Sequence, residues 1–168
     1  GVNDDDAQAL LEENTIPGRY KIRGLLGSGA SGQVFAINDN NLQRRIAIKF
    51  MHRQHISALE NTQDFIKEAQ TTANLHHPNI LPIHDLDFTD GSLPFFSMRQ
   101  AEGESLAKLI EVSKQETQAC IATTVKKINA IIKVCDAVSY AHSNGIIHGD
   151  IKPGNIMLGD HQNLVVLD

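Results

Sequence analysis

Cysteine is scarce in this chain of 168 residues: Cys120 and Cys135 are the only two. They have no metal-type spacing and are too few for a disulfide scaffold, so a reduced, cytoplasmic setting is the default expectation. No apolar run is long enough to cross a bilayer, and the chain does not open with the charged-then-apolar pattern of a signal peptide. That excludes a membrane span within these residues only. Positive charge is not concentrated either. The net charge is -5, no basic stripe is present and the eight histidines are scattered, so no nucleic-acid partner is expected. There is no internal repeat and no low-complexity block. What is present is 41% hydrophobic residues, enough for one ordinary domain with a real core. The acidic run Asp4-Asp5-Asp6 lies near a chain end and reads as a solvated tail.

Along the chain, residues 1–18 read as a leader. From Tyr20 the pattern is strand-like, through Ile22, Leu25 and Leu26 to a glycine cluster, and it resumes from Gln33 to Asn38. Asp39-Asn40-Asn41 signals a turn, and Arg45 to Met51 is a third β-rich run, so an antiparallel meander is predicted. A helix follows, capped by Ser57 (with Glu60) or by Asn61, and stopped at His77-Pro78-Asn79. It places Phe65, Ala69 and Thr72 on one face with Glu68 beside them. Ile80 to Ile83 and Leu93 to Met98 read as two more strands, parted by a turn at Asp90-Gly91. A composition shift at 99–103 marks a hinge, and the rest is mainly helical. Leu106, Leu109 and Ile110 make a short amphipathic segment. Val125, Ile128, Ile131, Ile132, Cys135, Val138 and His142 form a long stripe at helical spacing, stopped by Asn144-Gly145. Short apolar strands are expected at Ile146-Ile147, Ile156 to Leu158 and Leu164 to Leu167.

Four constellations carry chemistry. In Gly27-Ser28-Gly29-Ala30-Ser31-Gly32 the glycines let the backbone approach phosphate oxygens with no Cβ in the way. A dinucleotide fold uses the same spacing but opens a helix, whereas Val34-Phe35-Ala36-Ile37 looks like a strand; a flap in a β-hairpin is favoured over it and over a plain turn. In Ile46-Ala47-Ile48-Lys49, strand alternation puts Ala47 and Lys49 on one face, a small residue beside a cation. A single lysine is usually a solvated edge residue. Glu68, on the inner edge of the predicted helix, raises the alternative of a Lys–Glu pair that fixes the ammonium for phosphates.

The strongest signal is His148-Gly149-Asp150-Ile151-Lys152-Pro153-Gly154-Asn155. Asp150 can accept or orient a hydroxyl proton, Lys152 can neutralise charge on a transferring phosphoryl group, and Asn155 offers a carbonyl oxygen to a hard cation. Those residue types alone would also suit a surface turn. Asp168, after the apolar run Leu164-Val165-Val166-Leu167, is a second oxygen donor whose reading depends on this company.

Taken in order, these residues resemble the protein kinase family from about Arg19 to Asp168, and His77-Pro78-Asn79-Ile80-Leu81 looks like the family's segment after its first large helix. Asp150-Ile151-Lys152-Pro153 looks like the Ser/Thr branch, whose catalytic loop carries a lysine. The resemblance implies an α+β, protein-kinase-like fold, with a five-stranded antiparallel N-lobe sheet and one large helix over 19–98, a hinge over 99–103 and a partial helical C-lobe over 104–168. It implies ATP and Mg2+ as cofactors and transfer of the γ-phosphoryl group to a Ser or Thr hydroxyl of a protein substrate. By resemblance, Gly27, Gly29 and Gly32 cover the phosphates, and Lys49 contacts them while pairing with Glu68. Asp150 is the catalytic base, and Asn155 and Asp168 bind magnesium. Met98 is the gatekeeper, the Arg99 carbonyl and the Ala101 N–H bond the adenine edge, and Val34, Ala47 and Met157 sandwich the ring.

Three departures bear on this reading. Gly149 stands where the family usually has Arg, which implies weak or missing control by activation-loop phosphorylation. His-Gly-Asp is also typical of small-molecule phosphotransferases resembling aminoglycoside and choline kinases; the full glycine loop and Lys152 rank them lower. A catalytically inert, pseudokinase-like module is a further alternative, opposed by Lys49, Asp150, Asn155 and Asp168. Finally, the family's Phe-Gly, activation segment and remaining helices do not follow Asp168. Little turnover is expected of this stretch alone, and self-association is the expected cover for the stripe on its long helix.

Overall fold

Alternating apolar residues with short turns between them produce the expected meander. The computed structural model describes residues 5, 7–9, 11, 18–55, 59–89, 93–115, 121–159 and 164–166. Strands β1 (Tyr20–Ser28), β2 (Gly32–Asp39) and β3 (Arg44–Met51) are followed by helix α1 (Leu59–Ala73), β4 (Ile83–Thr89) and β5 (Leu93–Arg99). All pair antiparallel, in the order β1-β2-β3-β5-β4. Then come β6 (Glu104–Ser105), α2 (Leu106–Gln115), α3 (Ile121–Ser143), β7 (Ile156–Leu158) and β8 (Leu164–Val166). The last three strands form a second antiparallel sheet, ordered β6-β7-β8.

The chain divides into two compact units: residues 1–74 with 82–100, and residues 75–81 with 101–168. In the first, side chains directly opposite across paired strands share a face. Phe35, Ile37, Ile46, Ile48 and Phe50 therefore line one side of the sheet, all buried. Val34, Ala36, Ala47, Lys49, Phe96 and Met98 line the other. Aromatic packing joins the strands: the Phe35 and Phe50 rings meet edge-on at 6.0 Å, and Phe50 and Phe95 lie 5.4 Å apart. At the β2–β3 turn, buried Asp39 accepts the N–H groups of Asn41 and Leu42 at 3.1 and 3.2 Å, and Arg19 lies 3.4 Å away. Burial pushes the Asp39 carboxyl up, but the Leu42 N–H, Arg19 and the Asn41 N–H together hold it below its ordinary value.

The leader is more than a tail. Asp5 is exposed, but Ala7 and Leu11 are fully buried. The Gln8 side-chain amide docks on the outer edge of β1. Its Nε2 donates to the Tyr20 carbonyl at 3.0 Å, and its Oε1 accepts the Ile22 N–H at 2.8 Å. Asp4, Asp6 and Leu10 lie outside the described residues.

In the second unit, Leu106, Ala130, Val134, Ala137, Ile156, Leu164 and Val166 form the core. The helix stop at Asn144-Gly145 is a Schellman motif: Gly145 has φ +74°, its N–H bonds the His142 carbonyl, and the Ile146 N–H bonds that of Ala141. Residues 75–81 are stitched into this unit. The Asn79 carbonyl accepts the Val166 N–H at 2.9 Å, its side-chain amide donates to Leu164, and His77 sits 3.2 Å from Asp136.

Several expectations need correction. Ile80 is not in a strand; it makes one isolated parallel bridge to Val166, and β4 begins only at Ile83. Ile146-Ile147 has no strand partner among the described residues, and Ile147 is exposed. Helix α1 ends at Ala73, before His77, and begins at Leu59, so Asn61 is interior and not a cap. As expected of a stripe in need of cover, most of it faces outward on α3. Val125, Ile128, Ile131 and Ile132 are about half exposed and Cys135 is exposed, while Ala130, Val134, Ala137 and Ala141 are buried. Small alanines let this helix approach β8 closely, and their weak hydropathy hid that face. Ser57, Asp90, Gly91, Cys120 and Leu167 lie outside the described residues.

Candidate functional site

Strand β3 carries Lys49 on the same face as Ala47 and Met98, and α1 brings Glu68 to it. Lys49 Nζ donates to Glu68 Oε1 at 2.7 Å. The lysine side chain is 3% exposed and the glutamate 31%. The contact is short and charge-assisted, which suits a cation held in a fixed place. Beneath it lies Phe96, whose ring centroid is 5.6 Å from Nζ. Phe65 of α1 packs on that ring at 5.1 Å, so one aromatic pair positions both the helix and the ammonium. Phe96 was not foreseen: its place beside Lys49 comes from the β3–β5 register, which joins residues far apart in sequence.

The glycine loop is a hairpin flap. Gly27 pairs with Val34, Gly32 opens β2 and not a helix, and the Gly29 N–H bonds the Gly32 carbonyl at 2.9 Å. That rules out the dinucleotide arrangement. The three glycines also differ in their reasons. A Cβ at Gly27 or Gly29 would meet open space, which leaves room for a ligand above the backbone. A Cβ at Gly32 would overlap the Phe50 carbonyl, so this glycine is required by close strand approach within the protein. Val34 is half-buried, Ala47 and Met98 are buried, and Arg99 ends β5 with its N–H on the Pro82 carbonyl.

In the second unit, the catalytic-type loop assembles around Asp150. Lys152 Nζ donates to Asp150 Oδ2 at 2.6 Å. Asn155 Nδ2 donates to both the Asp150 carbonyl and its Oδ2 at 3.1 Å, and the Asp150 N–H is accepted by His148 Nδ1 at 3.3 Å. Pro153 starts the 3-10 turn Pro153–Asn155, closed by the Asn155 N–H on the Lys152 carbonyl. Gly149 has φ +81°, which allows the sharp bend before Asp150. The Lys152 hydrogen bond, with its charge and the Asn155 amide, holds the Asp150 carboxyl below its ordinary value against a smaller opposing effect of desolvation. Asp150 therefore stays an ionised acceptor. Because the Asn155 amide commits its N–H group to Asp150, it presents its carbonyl oxygen as a donor for a hard cation.

Met157 lies in β7, half-buried, opposite Ser105 and Val165, and Ala101 begins the second unit's longer segment. Asp168 lies outside the described residues. Among the described residues, no cluster of three or more His, Cys, Asp or Glu side chains is placed to hold a metal, and no helix is long and apolar enough to cross a membrane. The site residues thus form two groups, one per unit: Gly27, Gly29, Gly32, Val34, Ala47, Lys49, Glu68, Met98 and Arg99 in the first, and Ala101, Asp150, Lys152, Asn155 and Met157 in the second.

Comparison with known proteins matches residues 20–168 to the family described as protein kinase domain. Serine/threonine-protein kinase PknD of Chlamydia trachomatis is 34% identical over 157 residues, covering 89% of this chain and 16% of that protein. The probable serine/threonine-protein kinase PknB of Corynebacterium glutamicum is 31% identical over 156 residues, covering 91% of this chain and 23% of that protein. Among solved structures, the PknI kinase domain of Mycobacterium tuberculosis superposes with a TM-score of 0.67 at 25% identity, over 90% of this chain and 59% of that one. The chain thus spans less than a quarter of the length of either of these two curated relatives.

Proposed function

We propose, because the chain belongs to the protein kinase domain family and has a protein-kinase-like fold, that its parent protein transfers the γ-phosphoryl group of ATP to serine or threonine hydroxyls of protein substrates. The observation that carries this reading is the Asp150 loop, with Lys152 at 2.6 Å from the carboxylate and Asn155 bonded to it. An ionised Asp150 accepts or orients the hydroxyl proton. Lys152, on the same carboxylate, supplies positive charge where the phosphoryl group moves. Such catalysis is positioning and charge stabilisation, with little covalent chemistry for the protein.

The remaining site residues serve the nucleotide and its metal. Gly27, Gly29 and Gly32 form the flap over the phosphates, and Lys49, fixed by Glu68, contacts the α- and β-phosphates. Val34, Ala47 and Met157 hold the adenine ring, Met98 closes the back of its pocket, and the Arg99 carbonyl and Ala101 N–H bond its edge. Asn155 and Asp168 hold magnesium. When bound, that ion neutralises charge on the phosphate oxygens.

The test is an assay of the parent protein with radiolabelled ATP, magnesium and a generic Ser/Thr substrate, followed by phosphoamino-acid analysis. Phosphoserine or phosphothreonine is expected, lost in Asp150→Asn and Lys49→Met. Transfer only to small-molecule hydroxyls, or transfer that survives both substitutions, would overturn the proposal. A thermal-shift titration with ATP, with and without magnesium, tests nucleotide binding by itself.

A further inference from the structure

His52 directly follows the last residue of β3, three positions after Lys49, and reaches back to the glycine loop twice. Its ring Nε2 lies 2.8 Å from the Gly29 carbonyl, and its backbone N–H bonds the Ser31 carbonyl at 3.4 Å. A carbonyl oxygen only accepts, so Nε2 carries the proton in this contact. The imidazole is itself held. The His55 N–H bonds the His52 carbonyl at 2.9 Å, forming a one-turn 3-10 helix at Arg53–His55, and the two rings meet edge-on at 5.6 Å. The loop around Gly29 has few restraints of its own. Gly29 has open space where a Cβ would stand, and glycine backbone is intrinsically free. Gly29 itself is tied by its N–H on the Gly32 carbonyl and by this contact from His52.

A peptide group is planar and trans, so the carbonyl of Gly29 and the N–H of Ala30 point in opposite directions. Fixing one fixes the other. We propose that His52 is a positioning residue for the phosphate-covering loop: by donating to the Gly29 carbonyl it locks the Gly29–Ala30 peptide so that the Ala30 N–H is turned outward, ready to donate to a nucleotide's phosphate oxygens. Without that donor the peptide is free to flip and offer its carbonyl, which repels an anion. The inference rests on the nucleotide-binding role proposed above. It adds a residue outside the glycine run and outside the Lys–Glu pair.

The loop serves phosphates and not the base, so the role predicts a ligand-dependent loss. The full chain is titrated with ATP plus magnesium and with adenosine, as wild type and as His52→Ala, His52→Gln and Lys49→Met. His52→Ala is expected to weaken ATP binding about tenfold, as removal of one well-made hydrogen bond does. Adenosine affinity stays within about twofold, and His52→Gln, which restores an N–H donor, recovers most of the loss. Equal losses for both ligands would mean a merely structural residue and would overturn the proposal, as would no loss at all. If wild type binds no ATP, the nucleotide reading itself falls. If Lys49→Met weakens ATP and His52→Ala does not, only the His52 role falls. Should His52→Ala fail to fold, the imidazole nitrogen spectrum of the wild-type chain decides: a proton on Nε2 supports the contact, and one on Nδ1 refutes it.

Discussion

Lys49 and Glu68 meet at 2.7 Å as unequal partners, because the lysine is sealed under α1 and over Phe96 while the glutamate keeps about a third of its surface open. Removing either should therefore have different costs. Glu68→Ala removes one carboxylate contact of a buried ammonium and should destabilise the chain by about 1–3 kcal/mol. Lys49→Met places an apolar side chain of similar length against Phe96 and leaves a glutamate that water can reach, so stability should change by less than about 1 kcal/mol. Thermal denaturation of the two variants checks the ranking, and the reverse order would refute this account.

Gly103 and Gly149 both have positive φ, at +98° and +81°, but their surroundings differ. A Cβ at Gly103 would overlap the Leu158 carbonyl, whereas one at Gly149 would touch nothing. Gly149→Ala should cost only the conformational penalty, about 1–2 kcal/mol. Gly103→Ala adds a backbone clash at the β6–β7 pairing and should cost several kcal/mol or prevent folding. Denaturant midpoints with unchanged slopes would confirm it; equal losses would not fit.

Lys152 is the chief reason that Asp150 titrates below an ordinary aspartate. In the proposed reaction Asp150 is a base that works when ionised, so activity is expected to fall as pH drops through its pKa. Lys152→Ala removes the depressing contact. If the parent protein has the proposed activity, the acid limb of its rate profile should move to higher pH, with turnover reduced about a hundredfold. Carboxyl-carbon NMR of Asp150 should show the same upward shift; an unmoved titration would contradict the assignment.

Gln8 stands in for a neighbouring strand on the edge of β1. Gln8→Ala loses two hydrogen bonds and should lower stability by about 1–2 kcal/mol. The local signature is faster amide exchange at Ile22, with the Ile46 and Ile48 amides slowed or quickened only as global stability dictates. Unchanged Ile22 exchange would show that the contact is not held in solution.

Much of this was legible because it is local. Alternation set β1 to β3, glycine spacing marked the hairpin flap, and helical spacing put Glu68 beside Phe65 and Ala69. The Asp150 loop was readable because its groups lie within six consecutive positions. What was missed depends on distant pairing. Ile80 resembles a strand residue, but its partner Val166 is fixed by Asn79 across the second unit. Strand β6 has only two residues and exists through its pairing with β7. The buried face of α3 was not noticed, since hydropathy draws attention to isoleucine, while close packing there selects alanine. Phe96 and Gln8 act through register and docking, which single-residue patterns do not encode.

The stitching of residues 75–81 into the second unit has a consequence for dissection. The backbone passes from one unit to the other after Asn74, returns after Leu81 and leaves again after Gln100. No single scission therefore yields both units whole. A piece cut at Gln100 takes with it the Asn79 tie to Leu164 and Val166, so limited proteolysis there should release a fragment that has lost part of its own scaffold. Subcloning either unit as an uninterrupted stretch would inherit the same defect.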